Sequence, residues 1–145
     1  MPRRLAALAL LLSACGMSYT LDEQEGIDVA TAAFNRHTIY PGSTRPIGPM
    51  TIDEVELTFT VDRWSLADKL GFEYVSDGDP DFTTAATDLG DSAEVGKLQT
   101  AVDEALAAEP GAHVLVLRTW GHETYELAAE QLDRYVEAWL IEQGR

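Results

Sequence analysis

Val114-Leu115-Val116-Leu117 is four apolar residues in a row with no polar alternation. A strand wet on one face alternates; an unbroken run belongs to a strand covered on both faces or central in a sheet. Upstream, Val95, Leu98, Val102 and Leu106 fall on one helical stripe. Asp91-Ser92-Ala93-Glu94 supplies a cap pattern for that helix, and Pro110-Gly111 predicts its sharp end. Upstream again, Gly71 to Ser76 reads as a short strand around Phe72, Tyr74 and Val75. Strand, helix and strand in this order predict a right-handed parallel crossover between the second and third strands.

The rest of the chain builds outward from that unit. Thr51 to Asp62 alternates Val55, Leu57, Phe59 and Val61 with acids and threonines, a strand with one buried and one wet face that suits a sheet edge. Ser65 to Leu70 fits one helical turn capped by Ser65. Between Tyr40 and Met50, three prolines and two glycines predict a loop without regular structure. Thr20-Leu21-Asp22-Glu23 matches a capping box with Thr20 as N-cap, opening a helix to about His37. Gly26 weakens its first turn, which moves the expected start towards Ile27. A last helix starts near Glu123 and turns Ala128, Leu132, Tyr135, Val136, Trp139 and Leu140 to the core, with Glu130 and Arg134 spaced as a solvated pair. The order α-β-β-α-β-α predicts an α+β (or small open α/β) fold, a single two-layer domain.

The first fifteen residues carry a different message. Arg3 and Arg4 precede an apolar run from Leu5 to Leu12, and small residues lead into Cys15. A cationic start, an apolar stretch too short to span a bilayer and a small-residue cleavage region form the order of a secretory signal. Leu12-Ser13-Ala14-Cys15 resembles the lipobox of bacterial lipoprotein precursors. The resemblance implies cleavage before Cys15 and lipidation of its thiol with fatty acids such as palmitate. It implies residues 1–14 as signal peptide and 15–20 as lipidated tether, held at the cell envelope; length and composition then leave 21–145 as one acidic domain. Gly16, where the enteric version of the family uses aspartate for inner-membrane retention, implies the outer membrane in a Gram-negative host. Cys15 is the only cysteine, so no disulfide forms within the chain.

Charge excludes some partners. Ten basic residues stand against 25 acidic ones, a net charge of −15 that becomes −17 without Arg3 and Arg4. Such a surface repels phosphate backbones and argues against nucleic-acid binding. Asp77-Gly78-Asp79-Pro80-Asp81 is the most concentrated set of hard oxygens, with Asp88 at the twelfth position of a calcium-type loop. Phe82 takes the place of the turn glycine and Pro80 stiffens the loop, so a calcium site at Asp77, Asp79, Asp81 and Asp88 stands beside an Asp-rich turn as the alternative. His37, His113 and His122 sit at element ends, and Tyr40, Arg45 and His122 are the candidate contact residues. No GxSxG, HExxH or phosphate-cradling glycine loop occurs, and no residue is assigned a catalytic role. The expected function is a membrane-anchored, non-catalytic binding or envelope-assembly module with an envelope protein partner. The alternatives are a calcium-stabilised adhesive module and, third, a small envelope hydrolase that needs His113 or His122 beside a carboxylate and a hydroxyl.

Overall fold

The computed structural model describes residues 19–76, 79, 82 and 94–145. Its centre is the parallel pair that the apolar run predicts: Leu70–Val75 (β4) lies beside His113–Arg118 (β5), Leu70 opposite His113 and Val75 opposite Arg118. Before them come Tyr19–Thr20 (β1), Glu23–Arg36 (α1), Ser43–Ile52 (β2) and Val55–Ser65 (β3). Val95–Leu106 (α2) crosses from β4 to β5, and Gly121–His122 (β6) and Tyr125–Glu142 (α3) follow. Among the described residues the strands form one sheet in the order β2-β3-β4-β5 and a separate two-stranded ribbon, β1-β6. The α+β class and the helix–strand order are those expected.

To the two-layer expectation the structure adds a third layer. Val75, Val114 and Val116 point to one face, where the α2 stripe of Val95, Leu98, Val102 and Leu106 covers them. Phe72, Tyr74, Leu115 and Leu117 point to the other, under Ala30, Ala33 and Phe34 of α1 and Ala128, Leu132, Val136 and Leu140 of α3. Both faces of β5 are dry, which is why its sequence does not alternate. Tyr135 does not join this core; it is exposed, and Trp139 is only partly covered.

The N-terminal half departs from expectation where turn chemistry was disguised. The Thr51 to Asp62 strand is broken by a hairpin turn: Thr51 and Ile52 end β2, Asp53 and Glu54 turn with φ of 48° and 68°, and β3 runs on to Ser65. Two positive φ values are what a two-residue hairpin needs, and glycine or asparagine normally announces them. The predicted loop at 40–50 is instead mostly β2, and β2 rather than β3 takes the edge of the sheet. Pro46 and Pro49 are tolerated because the pairing with β3 shifts register between Ser43 and Arg45 and between Ile47 and Met50. An edge strand with bulges has backbone positions that need no donor.

Local caps also moved. Asp22, not Thr20, is the N-cap of α1: its carboxylate accepts from Glu25 N–H at 2.8 Å while Glu25 accepts from Asp22 N–H at 2.9 Å. Thr20 pairs with Gly121 in the ribbon, so it belongs to a strand rather than to a tether. The Ser65 hydroxyl accepts from Asp68 N–H, and the segment is a turn rather than a helix. The α2 helix ends at Leu106, ahead of Pro110-Gly111, and Thr124 caps α3 through Leu127 N–H.

Gly26, expected to weaken α1, is what lets α1 sit on the sheet. A Cβ there would lie 2.3 Å from the Tyr74 ring. Tyr74 is fully buried; its hydroxyl donates to Leu21 O at 3.1 Å and accepts from Trp120 N–H at 3.0 Å. One phenol thus ties the approach to α1 to the exit from β5. Gly26→Ala is expected to destabilise the fold by about 1–3 kcal/mol, because the rigid ring has nowhere to move; urea denaturation measures it.

Candidate functional site

A cleft of about 560 Å³ lies along the edge of β5 that is unpaired among the described residues, between α2, the 107–112 turn and α3. Its volume lies in the range of small-molecule sites. His113 and Leu115 contribute from β5, Gln99, Asp103 and Leu106 from α2, and Tyr135, Trp139 and Gln143 from α3 and its end. Glu109 and Pro110 close one side.

Gln99 governs this edge. Its amide donates to Val114 O at 2.9 Å and accepts from Val116 N–H at 2.8 Å, so it occupies the positions another strand would use. The same amide donates to Asp103 Oδ1 at 2.9 Å and holds that carboxylate at the cleft. Exposed sheet edges invite pairing with other chains, and a side-chain plug is one way to close them. Glu109 is already committed: Arg45 approaches it at 2.6 Å and holds its carboxyl below the usual range, with Lys69 at 3.9 Å. Asp103 is thus the cleft carboxylate with no cation bonded to it among the described residues.

A second polar centre lies where β3 and β4 part company. Their pairing ends at Arg63 opposite Phe72, and two carboxylates carry the connection further. Asp62 N–H donates to Glu73 Oε2 at 2.7 Å, and Tyr74 N–H donates to Asp62 Oδ2 at 2.8 Å. Glu73 is buried in an otherwise apolar strand. Burial pushes its carboxyl up to about 9, helped by the Asp62 charge and opposed by the hydrogen bond from Asp62 N–H. Burial also lifts Asp62 to about 6, with the Tyr74 N–H pulling the other way. At neutral pH Glu73 is protonated, and the clamp holds one buried charge rather than two.

Those expected site residues that are described lie in different parts of the fold. Cys15, Asp77, Asp81 and Asp88 lie outside the described residues. Asp79 belongs to a turn, its N–H donating to Ser76 O and its carbonyl accepting from Phe82 N–H, both at 3.1 Å. No group of three metal-ligating side chains occurs among the described residues. Tyr40 is exposed just ahead of β2, while Arg45 stacks over Trp64 at 4.7 Å and pairs with Glu109. His122 sits in the β1-β6 ribbon, where its Nδ1 accepts from Glu123 N–H at 2.8 Å. His37 caps α1, and only His113 reaches the cleft. His113 lines the cleft together with Asp103, Glu109 and Tyr135, and neither His113 nor His122 is hydrogen-bonded to a carboxylate among the described residues. Sequence reading missed Gln99, Asp103, Asp62 and Glu73. Glu73 had a signal, a lone acid inside Phe-Glu-Tyr-Val; Gln99 and Asp103 look like any wet helix positions.

No described helix is long and apolar enough to cross a membrane. Compared with family models, curated proteins and solved structures, the chain finds no match in any of the three.

Two outcomes follow from these centres. A carboxyl whose pKa is raised by folding favours the native state below its unfolded value, and that contribution is lost as pH climbs through the folded value. Stability is therefore expected to fall from about pH 4.5 towards pH 9. Glu73→Gln keeps the acceptor for Asp62 N–H and should flatten the decline, by on the order of a few kcal/mol at pH 9; urea midpoints at pH 5, 7 and 9 measure it. Gln99→Ala uncovers Val114 O and Val116 N–H, with an expected cost of about 1–3 kcal/mol and concentration-dependent association visible by sedimentation.

Proposed function

We propose that this chain is a bacterial lipoprotein, anchored through Cys15, whose acidic α+β domain acts as a non-catalytic binding module at the cell envelope. The observation that carries the proposal is Leu12-Ser13-Ala14-Cys15 at the close of a short apolar segment headed by two arginines. Tyr19 already belongs to the fold, so four residue steps, about 14 Å at full extension, separate the sulfur from β1. That short reach favours a domain held near the lipid surface over one projecting far from it. The binding role is supported by the cleft at the β5 edge, the place where helices from both faces overhang the sheet. A net charge of −17 keeps the domain soluble beside the membrane and selects against anionic partners.

Fatty chains supply the membrane affinity, at about 0.8 kcal/mol per buried methylene. Mass spectrometry of the amino-terminal peptide from the membrane fraction is expected to find Cys15 first in the chain and carrying two or three acyl groups. Cys15→Ser should abolish acylation and release the protein from membranes. An unmodified thiol, or a processed terminus elsewhere, would overturn the anchor.

A further inference from the structure

We propose that the cleft beside β5 binds organic ammonium ions, with the Trp139 indole and the Asp103 carboxylate as its recognition pair. This deepens the binding-module reading and rests on it only for biological setting, not for chemistry.

Three observations converge. First, among the described residues the cleft is lined by the aromatic Tyr135 and Trp139, the acidic Asp103 and Glu109, and His113, and by no lysine or arginine. Asp103 is held in place by Gln99 and has no cation bonded to it among the described residues, whereas Glu109 is neutralised by Arg45. Within a domain of net charge −17, a walled cleft of this kind concentrates cations. Secondly, the other two tryptophans of the chain already hold cations: Arg45 lies 4.7 Å from the Trp64 ring and Arg118 lies 5.6 Å from Trp120. Trp139 stacks on Phe34 at 6.1 Å, lines the cleft and has no such cation among the described residues. An indole on one helix and a carboxylate on the other line the same cleft at the β5 edge, and aromatic and anionic groups both attract ammonium ions, more strongly when partly desolvated. Thirdly, Gln99 closes the Val114–Val116 edge, which disfavours an added β-strand as occupant and leaves side-chain recognition. Leu106, Ala112 and Leu115 add an apolar floor that suits the carbon body of an amine.

The ammonium group has two sources, a small free amine and the lysine side chain of a protein. The full chain, purified from membranes in micelles with uncharged head groups, is titrated with three probes while tryptophan fluorescence is followed. Choline represents the free amine, acetyl-lysine amide the protein side chain, and 3,3-dimethyl-1-butanol is the uncharged isostere of choline. Binding of at least one cationic probe about tenfold tighter than the isostere is expected, and the preferred cation identifies the source. Asp103→Asn should weaken that binding about fivefold or more with the melting temperature unchanged. Glu104→Gln, an exposed acid on the same helix outside the cleft, should leave it unaltered. Equal affinity for choline and its isostere, no response to any probe, or equal losses in the two variants would overturn the proposal. None of those results touches the acylation of Cys15, which is read separately by mass.

Discussion

The fold turns on one buried phenol. Tyr74 stands on the central strand β4 with its ring against Gly26, where α1 has no side chain, and its hydroxyl between Leu21 O and Trp120 N–H. Those two backbone groups belong to segments nearly a hundred residues apart, and Leu21 N–H also donates to Trp120 O at 2.8 Å. A buried hydroxyl that donates once and accepts once leaves no polar group stranded, which is the condition for placing it in a core. The β1-β6 ribbon, the entry to α1 and the approach to α3 all take their positions from this junction. Arg36, bonded to Asp133 and Glu137, closes the α1–α3 pair at its far end.

Elsewhere, side chains finish hydrogen-bonding work that the backbone leaves undone. Gln99 plays the missing fifth strand beside β5. Asp62 and Glu73 extend the β3–β4 connection past the last paired residues. The two devices differ in cost. An amide is neutral and satisfies donor and acceptor alike, whereas a buried carboxyl is tolerated by keeping its proton. Plugging the edge also shapes the cleft, because α2 must lie close enough for Gln99 to reach β5. The same residue aligns Asp103, so edge protection and the cleft wall come from one contact.

Legibility differed sharply along the chain. The helical stripe Val95, Leu98, Val102 and Leu106 and the run Val114–Leu117 were readable because burial imposes periodicity directly on residue type. The hairpin at Asp53-Glu54 was not, since its residues tolerate positive φ rather than advertise it. The strand through Pro46 and Pro49 was hidden for the opposite reason: prolines argue against sheet, and only the edge position makes them harmless. The α1 cap was misplaced by two residues because Thr20-x-x-Glu23 and Asp22-x-x-Glu25 are equally good boxes. The ribbon pairing of Thr20 chose between them.

What the residues alone determined is the class of fold, the parallel crossover at its heart, the strong negative charge and the lipobox-like terminus. Each is a local matter: periodicity, composition or a contiguous motif. The third layer, the edge plugged by Gln99, the Tyr74–Gly26 contact and the placing of Asp103 and Trp139 in the lining of one cleft were decided only in three dimensions. Those depend on which faces meet after the chain has folded, and residues 36 positions apart carry no mark of becoming neighbours in one cleft.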